Sequence, residues 1–242
     1  MAISPRIVEL AEQISKLPTE DEHLHAVQAQ IVVASDLYRG MVQVCSDRNG
    51  LAGEALLRSL FEGITSAIIL AKHCPWLKDF VRHGRFTELR MMRVIQVDSL
   101  KERLAPQIAA TESEFQKLLA EFGDKRWHKM GTTASFTEAE FQPGMYDRYY
   151  RRASVIAHGQ PYVTVRDGKI EARRAVWERL SIGALIMADL LMLCLLTVVN
   201  REFKLALGDK LIGLQKDVDA AASEDMNKIR KAAGIPGEEL RL

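Results

Sequence analysis

Asp147, Arg151, Ser154 and His158 follow one another at steps of four, three and four residues. At about 100° per residue an α-helix carries all four on one face, so the stretch predicts a polar stripe on a helix that ends at His158. Arg152, six positions before His158, points elsewhere unless the helix bends or stops. An imidazole moves protons near neutral pH, and a guanidinium grips a phosphate through two parallel hydrogen bonds. Cleavage of a phosphodiester by its neighbouring 2′-hydroxyl needs those two services and no metal. The same spacing also suits a helix-terminal histidine bound to a free carbonyl, with the arginines solvated or paired to Asp147.

Two further patterns bear on this stripe. Glu54, Arg58 and Glu62 stand four residues apart, and so share a helix face. They form either a ladder of surface ion pairs or a polar seam against the helix of His158, in which Glu62 orients a cation. Residues 143–174 hold seven Lys or Arg against three acids, with Tyr149, Tyr150 and Tyr162 among them. Such a surface contacts an RNA backbone and stacks bases, unless it is a solvated face with its tyrosines turned inward. A second basic run, Lys78, Arg82, Arg85, Arg90 and Arg93, has no assigned role.

The segment Arg151-Arg152-Ala153-Ser154-Val155-Ile156-Ala157-His158 resembles the signature of the HEPN superfamily, an arginine four to six residues before a histidine; Arg151 and Arg152 both satisfy it. Leu57-Arg58-Ser59-Leu60-Phe61-Glu62, taken with Tyr150 through Gly159, also looks like a family of uncharacterised bacterial proteins linked to that superfamily. The resemblance covers roughly residues 50–200. It implies a helical bundle that pairs as a homodimer and brings two Arg-His pairs to one cleft. In active members it also implies a metal-independent endoribonuclease, acting as a toxin or phage-defence effector, with an antitoxin or defence-system protein as partner. His158 is then the acid or base, Arg151 or Arg152 the phosphate ligand, and Ser154, Glu62, Arg58, Asp147 and Tyr150 the supporting polar groups. Active relatives often follow the arginine with Asn, Asp or His, whereas this chain has Arg152 or Ala153. The alternative is a non-catalytic helical protein that uses the stripe to bind a partner protein or a nucleotide.

The elements that position these residues are helical almost throughout. Ser4-Pro5 starts a first helix. Thr19, followed by Glu20, Asp21 and Glu22, starts a second that runs to about Cys45, the acids suiting its positive end. Asn49-Gly50 break the pattern before a third, about Leu51 to His73, which Pro75 closes. The basic stretch from Trp76 to Arg93 leads into a fourth helix, and Pro106 restarts the chain into one ending near Phe122. Residues 124–142 read as a loop or broken helix, and Met145 to His158 as the stripe helix. Tyr162–Val165 and Lys169–Ala172 flank Arg166-Asp167-Gly168 and predict a hairpin over about 161–173. A long helix from about Arg174 to Phe203 and two weaker segments complete the chain.

The expected fold is therefore all-α: one domain over 1–242, with N-terminal helices at 1–48, a bundle core at 50–206 and a helical tail at 207–242. Lys and Arg total 33 against 32 Asp and Glu, so an RNA partner has to be met by a local patch. Cys45, Cys74 and Cys194 have no CxxC spacing and predict reduced, buried thiols in a cytoplasmic protein. Ser181–Val199 has the length of a membrane span, yet Asp189 near its centre opposes insertion by roughly 3 kcal/mol. A bundle's central helix gives the same pattern, and no membrane partner is expected. His23 and His25 diverge on a helix, and no other histidine has a neighbour at ligand spacing, so neither metal nor cofactor is expected.

Overall fold

The computed structural model describes residues 3–95, 97–141, 144–158, 165–166, 169–170 and 173–233. Helix dominates, as the sequence predicts, and the chain divides into two compact units, residues 1–72 with 136–242, and residues 73–135. The sequence reading treats the same chain as one domain.

In the first unit, α1 (Ile3–Ser15) buries Ile7, Leu10, Ala11 and Ile14. Helix α2 (Glu22–Ser46) is capped by Asp21, whose carboxylate accepts from the His23 N–H at 2.8 Å; Thr19, the expected start, instead accepts from the Asp21 N–H at 3.0 Å. Its buried side chains Leu24, Val27, Ile31, Ala34, Tyr38, Met41 and Cys45 alternate three- and four-residue steps, the spacing of a core-facing stripe. Helix α3 (Gly50–Lys72) begins where the Asn49 side chain accepts from the Ala52 N–H at 3.2 Å. It packs on α2, on α9 (Arg173–Phe203) and on α8 (Arg151–Ala157), and so forms the hub of the unit. At Gly53 a Cβ would lie 2.5 Å from Cys45 Sγ, so only glycine allows α3 to sit this close to α2.

Helix α9 is apolar enough from Leu180 to Phe203 to cross a membrane by length and composition, and 56% of its most apolar stretch is buried. Its one central charge lies inward, where the Tyr38 hydroxyl donates to the Asp189 carboxylate. Helix α10 (Gly208–Ala233) is one continuous helix where the sequence suggested two segments. Leu211, Leu214 and Val218 bury one face across Gly213, and that packing overrides the glycine's local preference. Residues 234–242, with the expected frayed end at Gly234, Pro236 and Gly237, lie outside the described residues. Two-residue strands β1 (Val165–Arg166) and β2 (Lys169–Ile170) pair antiparallel, Val165 opposite Ile170. The rest of the hairpin segment expected over 161–173, up to the first residue of α9, falls outside the described residues.

The second unit contains α4 (Leu77–Val94), α5 (Asp98–Ala110) and α6 (Glu112–Phe122), preceded by a short turn at Cys74–Trp76. Phe86 and Leu89 meet Leu118 and Phe122 in its core. Two of the helix expectations are corrected here. The basic stretch up to Arg93 is itself a helix, and Pro106 lies inside α5 rather than starting a helix; its lost hydrogen bond is tolerated because α5 is exposed there and water replaces the donor. The basic run serves as one side of an ion-pair seam between α4 and α6, with Arg82 on Glu121, Arg85 on Glu114 at 3.0 Å and Arg93 on Glu112 at 2.9 Å. Helix α7 (Thr132–Glu138) occupies part of the expected loop. Of the three thiols expected to be buried only Cys45 is: Cys194 is partly buried, and Cys74 is exposed because it opens a surface turn ahead of Pro75.

Burial pushes the Asp189 carboxyl up to about 6. Between its ordinary value and this one, the folded chain holds a proton that the unfolded chain has lost. The contribution to stability is therefore greatest below about pH 4 and falls as pH rises to about 6. Asp189→Asn keeps an acceptor for Tyr38 and removes this slope. Urea unfolding at pH 4 and pH 7 should show the variant gaining about 2–3 kcal/mol on the natural chain across that interval.

Candidate functional site

The chain enters α8 through a π-turn over Tyr146–Tyr150, in which the Arg151 N–H donates to the Tyr146 carbonyl five residues back. The sequence predicted a regular helix from Met145 to His158. The wider turn is held by its rings: Tyr146 stacks on Tyr150 at 5.4 Å, and both meet Phe136, at 5.5 and 5.1 Å. Phe61 of α3 meets Tyr150 edge-on at 6.2 Å. Helix α8 ends at His158, whose N–H donates to the Ser154 carbonyl at 3.1 Å and whose side chain is exposed.

Arg151, Ser154 and His158 line one shallow depression of about 300 Å³ together with Tyr146, Tyr150 and Val155. The expected stripe is thus assembled, and Asp147 pairs with Arg151 at 3.1 Å. Arg151 also lies over the Tyr146 ring at 5.3 Å. Tyr146 and Val155 were not singled out from sequence. Tyr146 stands five residues before Arg151, a spacing that only a π-turn brings together.

The guanidinium that meets the imidazole belongs to neither motif arginine. Arg58 of α3 donates from Nη1 to His158 Nε2. That contact requires Nε2 to carry its lone pair, which leaves the ring proton on Nδ1. Glu62 steadies Arg58 at 3.4 Å and accepts the Tyr150 hydroxyl at 2.6 Å. Arg152 turns away from the depression to Glu54, with Nε donating to Oε2 at 3.2 Å and Nη2 to Oε1. Its guanidinium lies over the Tyr149 ring at 5.5 Å. Of the two sequence alternatives for the Glu54-Arg58-Glu62 ladder, the polar seam against the helix of His158 is the arrangement observed.

Glu54 has no exposed surface. Burial raises its carboxyl above the usual range, against the pull of the Arg152 guanidinium. Cys45 beside it is pushed up to about 11, by burial first and by the Glu54 charge second. The remaining basic residues of the 143–174 patch, Arg148, Arg166, Lys169, Arg173 and Arg174, have side chains outside the described set. Among the described residues no group of three or more His, Cys, Asp or Glu could hold a metal ion.

A profile of the family of unknown function DUF5677 matches residues 26–170, more than half of the chain. The chain belongs to that family. The matched span contains both halves of the site, from Glu54 on α3 to His158 at the end of α8, whereas α9 and α10 lie outside it. Neither the curated proteins nor the solved structures give a match.

Removing one partner of a buried ion pair strands the other. Arg152→Ala should therefore lower unfolding stability by about 3 kcal/mol at pH 7. The loss should shrink in acid, because a protonated Glu54 needs no cation. Denaturant melts of the two proteins from pH 4 to pH 8 read both the size and the sign; a pH-independent difference would contradict the assignment.

Proposed function

We propose that this chain is a metal-independent endoribonuclease with a HEPN-like bundle, in which His158 moves the proton and Arg58, with Arg151 at the rim, binds the scissile phosphate. The observation that carries the reading is the contact of Arg58 with an exposed imidazole that itself lines an open depression. An incoming phosphate offers Arg58 a stronger acceptor than an imidazole nitrogen. As Arg58 moves to the phosphate oxygens, Nε2 is freed with its lone pair intact, ready to take the 2′-hydroxyl proton. The 2′-oxygen then attacks phosphorus, the bond to the 5′-oxygen breaks, that oxygen takes a proton from water, and His158 gives its proton to the hydroxide left behind, which restores the neutral ring. The products carry a 2′,3′-cyclic phosphate and a 5′-hydroxyl.

Roles within the site follow from this geometry. Glu62 orients Arg58, Tyr150 fixes Glu62, and Ser154 offers a hydroxyl to the phosphate or ribose. Arg152 serves the scaffold through Glu54, which departs from the role that the resemblance gives it. A toxin or defence setting, with an antitoxin or defence-system partner and a cytoplasmic location, fits this activity. The rival reading, binding of a nucleotide or partner without cleavage, draws on the same contact, since a phosphate held by Arg58 and His158 need not be cut.

Incubation of mixed-sequence single-stranded RNA with the full chain in excess chelator tests the proposal. The natural chain should generate cyclic-phosphate ends. His158→Ala and Arg58→Ala should each slow cleavage by at least about a hundredfold, while Arg58→Lys should retain part of the rate. RNA binding without cleavage by the natural chain would favour the binding account, and equal cleavage by His158→Ala would remove the enzyme account.

A further inference from the structure

Two rings line the depression at the end of α8, and they differ in exposure. Tyr150 is buried and belongs to the core, whereas Tyr146 is half-buried. The two stack at 5.4 Å with their planes 20° apart, and Phe136 meets Tyr146 steeply at 5.5 Å. These neighbours fix the tilt of the Tyr146 ring. The Arg151 guanidinium lies over it, 5.3 Å from its centre. That side chain is 67% exposed, and its pair with Asp147 is equally solvated, so it is held weakly.

A guanidinium above an aromatic ring has the makings of a sandwich for a nucleobase, since both groups stack on flat π faces. Groups in contact lie about 3.5 Å apart, so a base between ring and guanidinium needs them about 7 Å apart. Arg151 therefore has to lift by about 2 Å, which an exposed side chain does freely. The depression of about 300 Å³ stands at the small end of ligand sites, which suits one nucleotide rather than a run of them. Arg151 and His158 line it together, so a nucleotide with its phosphate at the imidazole can lay its base on Tyr146. None of the lining side chains is an amide or a carboxylate, the groups that read the edges of adenine and cytosine. Among the described residues, the site holds a base by its face.

We propose that Tyr146 and Arg151 clamp a base next to the phosphate bound at His158, so that the ligand is a nucleotide swung out of its own stack and gripped without regard to its edge. Purines, with the larger face, are favoured modestly over pyrimidines. The clamp rests on the RNA-binding role proposed for the α8 site, and it adds the group that the phosphate contacts leave unread.

Two probes without a 2′-hydroxyl, which cannot be cut, test it by fluorescence anisotropy with the full chain: a deoxyadenosine hexamer and the same backbone with no bases. The natural chain should bind the intact hexamer at least about tenfold more tightly. Tyr146→Leu should weaken that binding by about ten- to a hundredfold and leave the abasic hexamer unchanged, while Tyr146→Phe should bind both as the natural chain does. Equal loss on both probes would assign Tyr146 to the support of the turn alone, and no loss on either would place the base elsewhere. Each result overturns the clamp, as does a natural chain that binds the two probes alike or binds neither. Cleavage is scored separately, on the adenosine RNA hexamer. Base-dependent binding without cutting keeps the clamp and removes the nuclease; cutting by a chain indifferent to bases keeps the nuclease and removes the clamp.

Discussion

A carboxylate with no exposed surface must be paired or protonated, because the interior does not solvate its charge. Glu54 meets that demand with Arg152, and the pair joins α3 to α8 at the point where α3 already packs on α2 and α9. Everything at the end of α8 depends on the link. With Arg152 drawn inward to Glu54, the next helical turns present Ser154 and His158 outward. Arg58, one turn along α3 from Glu54, then stands opposite His158. Glu62, one turn further, meets Tyr150 at the other end of the seam. Three residues at four-residue spacing thus engage three residues of the facing segment, so that the buried pair fixes the register of the exposed one.

How far this was legible in the sequence depends on the range of each signal. Helical spacing is local, and it correctly gathered Arg151, Ser154 and His158 on one face and Glu54, Arg58 and Glu62 on another. Which face met which is a matter of tertiary packing over about a hundred residues of chain, and periodicity holds no record of it. For that reason the guanidinium at His158 was sought among its neighbours Arg151 and Arg152, while the structure supplies it from α3. The deviation at Tyr146–Tyr150 was hidden for a different cause: aromatic packing against Phe61 and Phe136 widens the turn, and no residue there is a helix breaker.

Among the elements, long apolar stripes were the most legible, and α2, α3 and α9 lie close to their expected bounds. Proline misled at Pro106, which lies within α5 where the exposed helix lets water take the place of the lost donor. The division into two units left only a faint mark in composition, since residues 73–135 are modestly more charged and less apolar than the rest. The basic run of α4 received no role from the sequence because its acidic partners on α6 lie 19 to 39 residues away.

A π-turn amounts to one residue more than an α-helix would use for the same rise. Its presence ahead of α8 makes the phase of everything downstream depend on a single peptide. Loss of one residue from Tyr146–Tyr150 would rewind the segment by about 100°, carrying the imidazole off Arg58 while leaving composition, charge and helix content almost untouched. Among members of this family, chain length across that turn is thus a more telling character than the identity of any one side chain within it, since it decides whether two helices can share a proton-bearing ring at all.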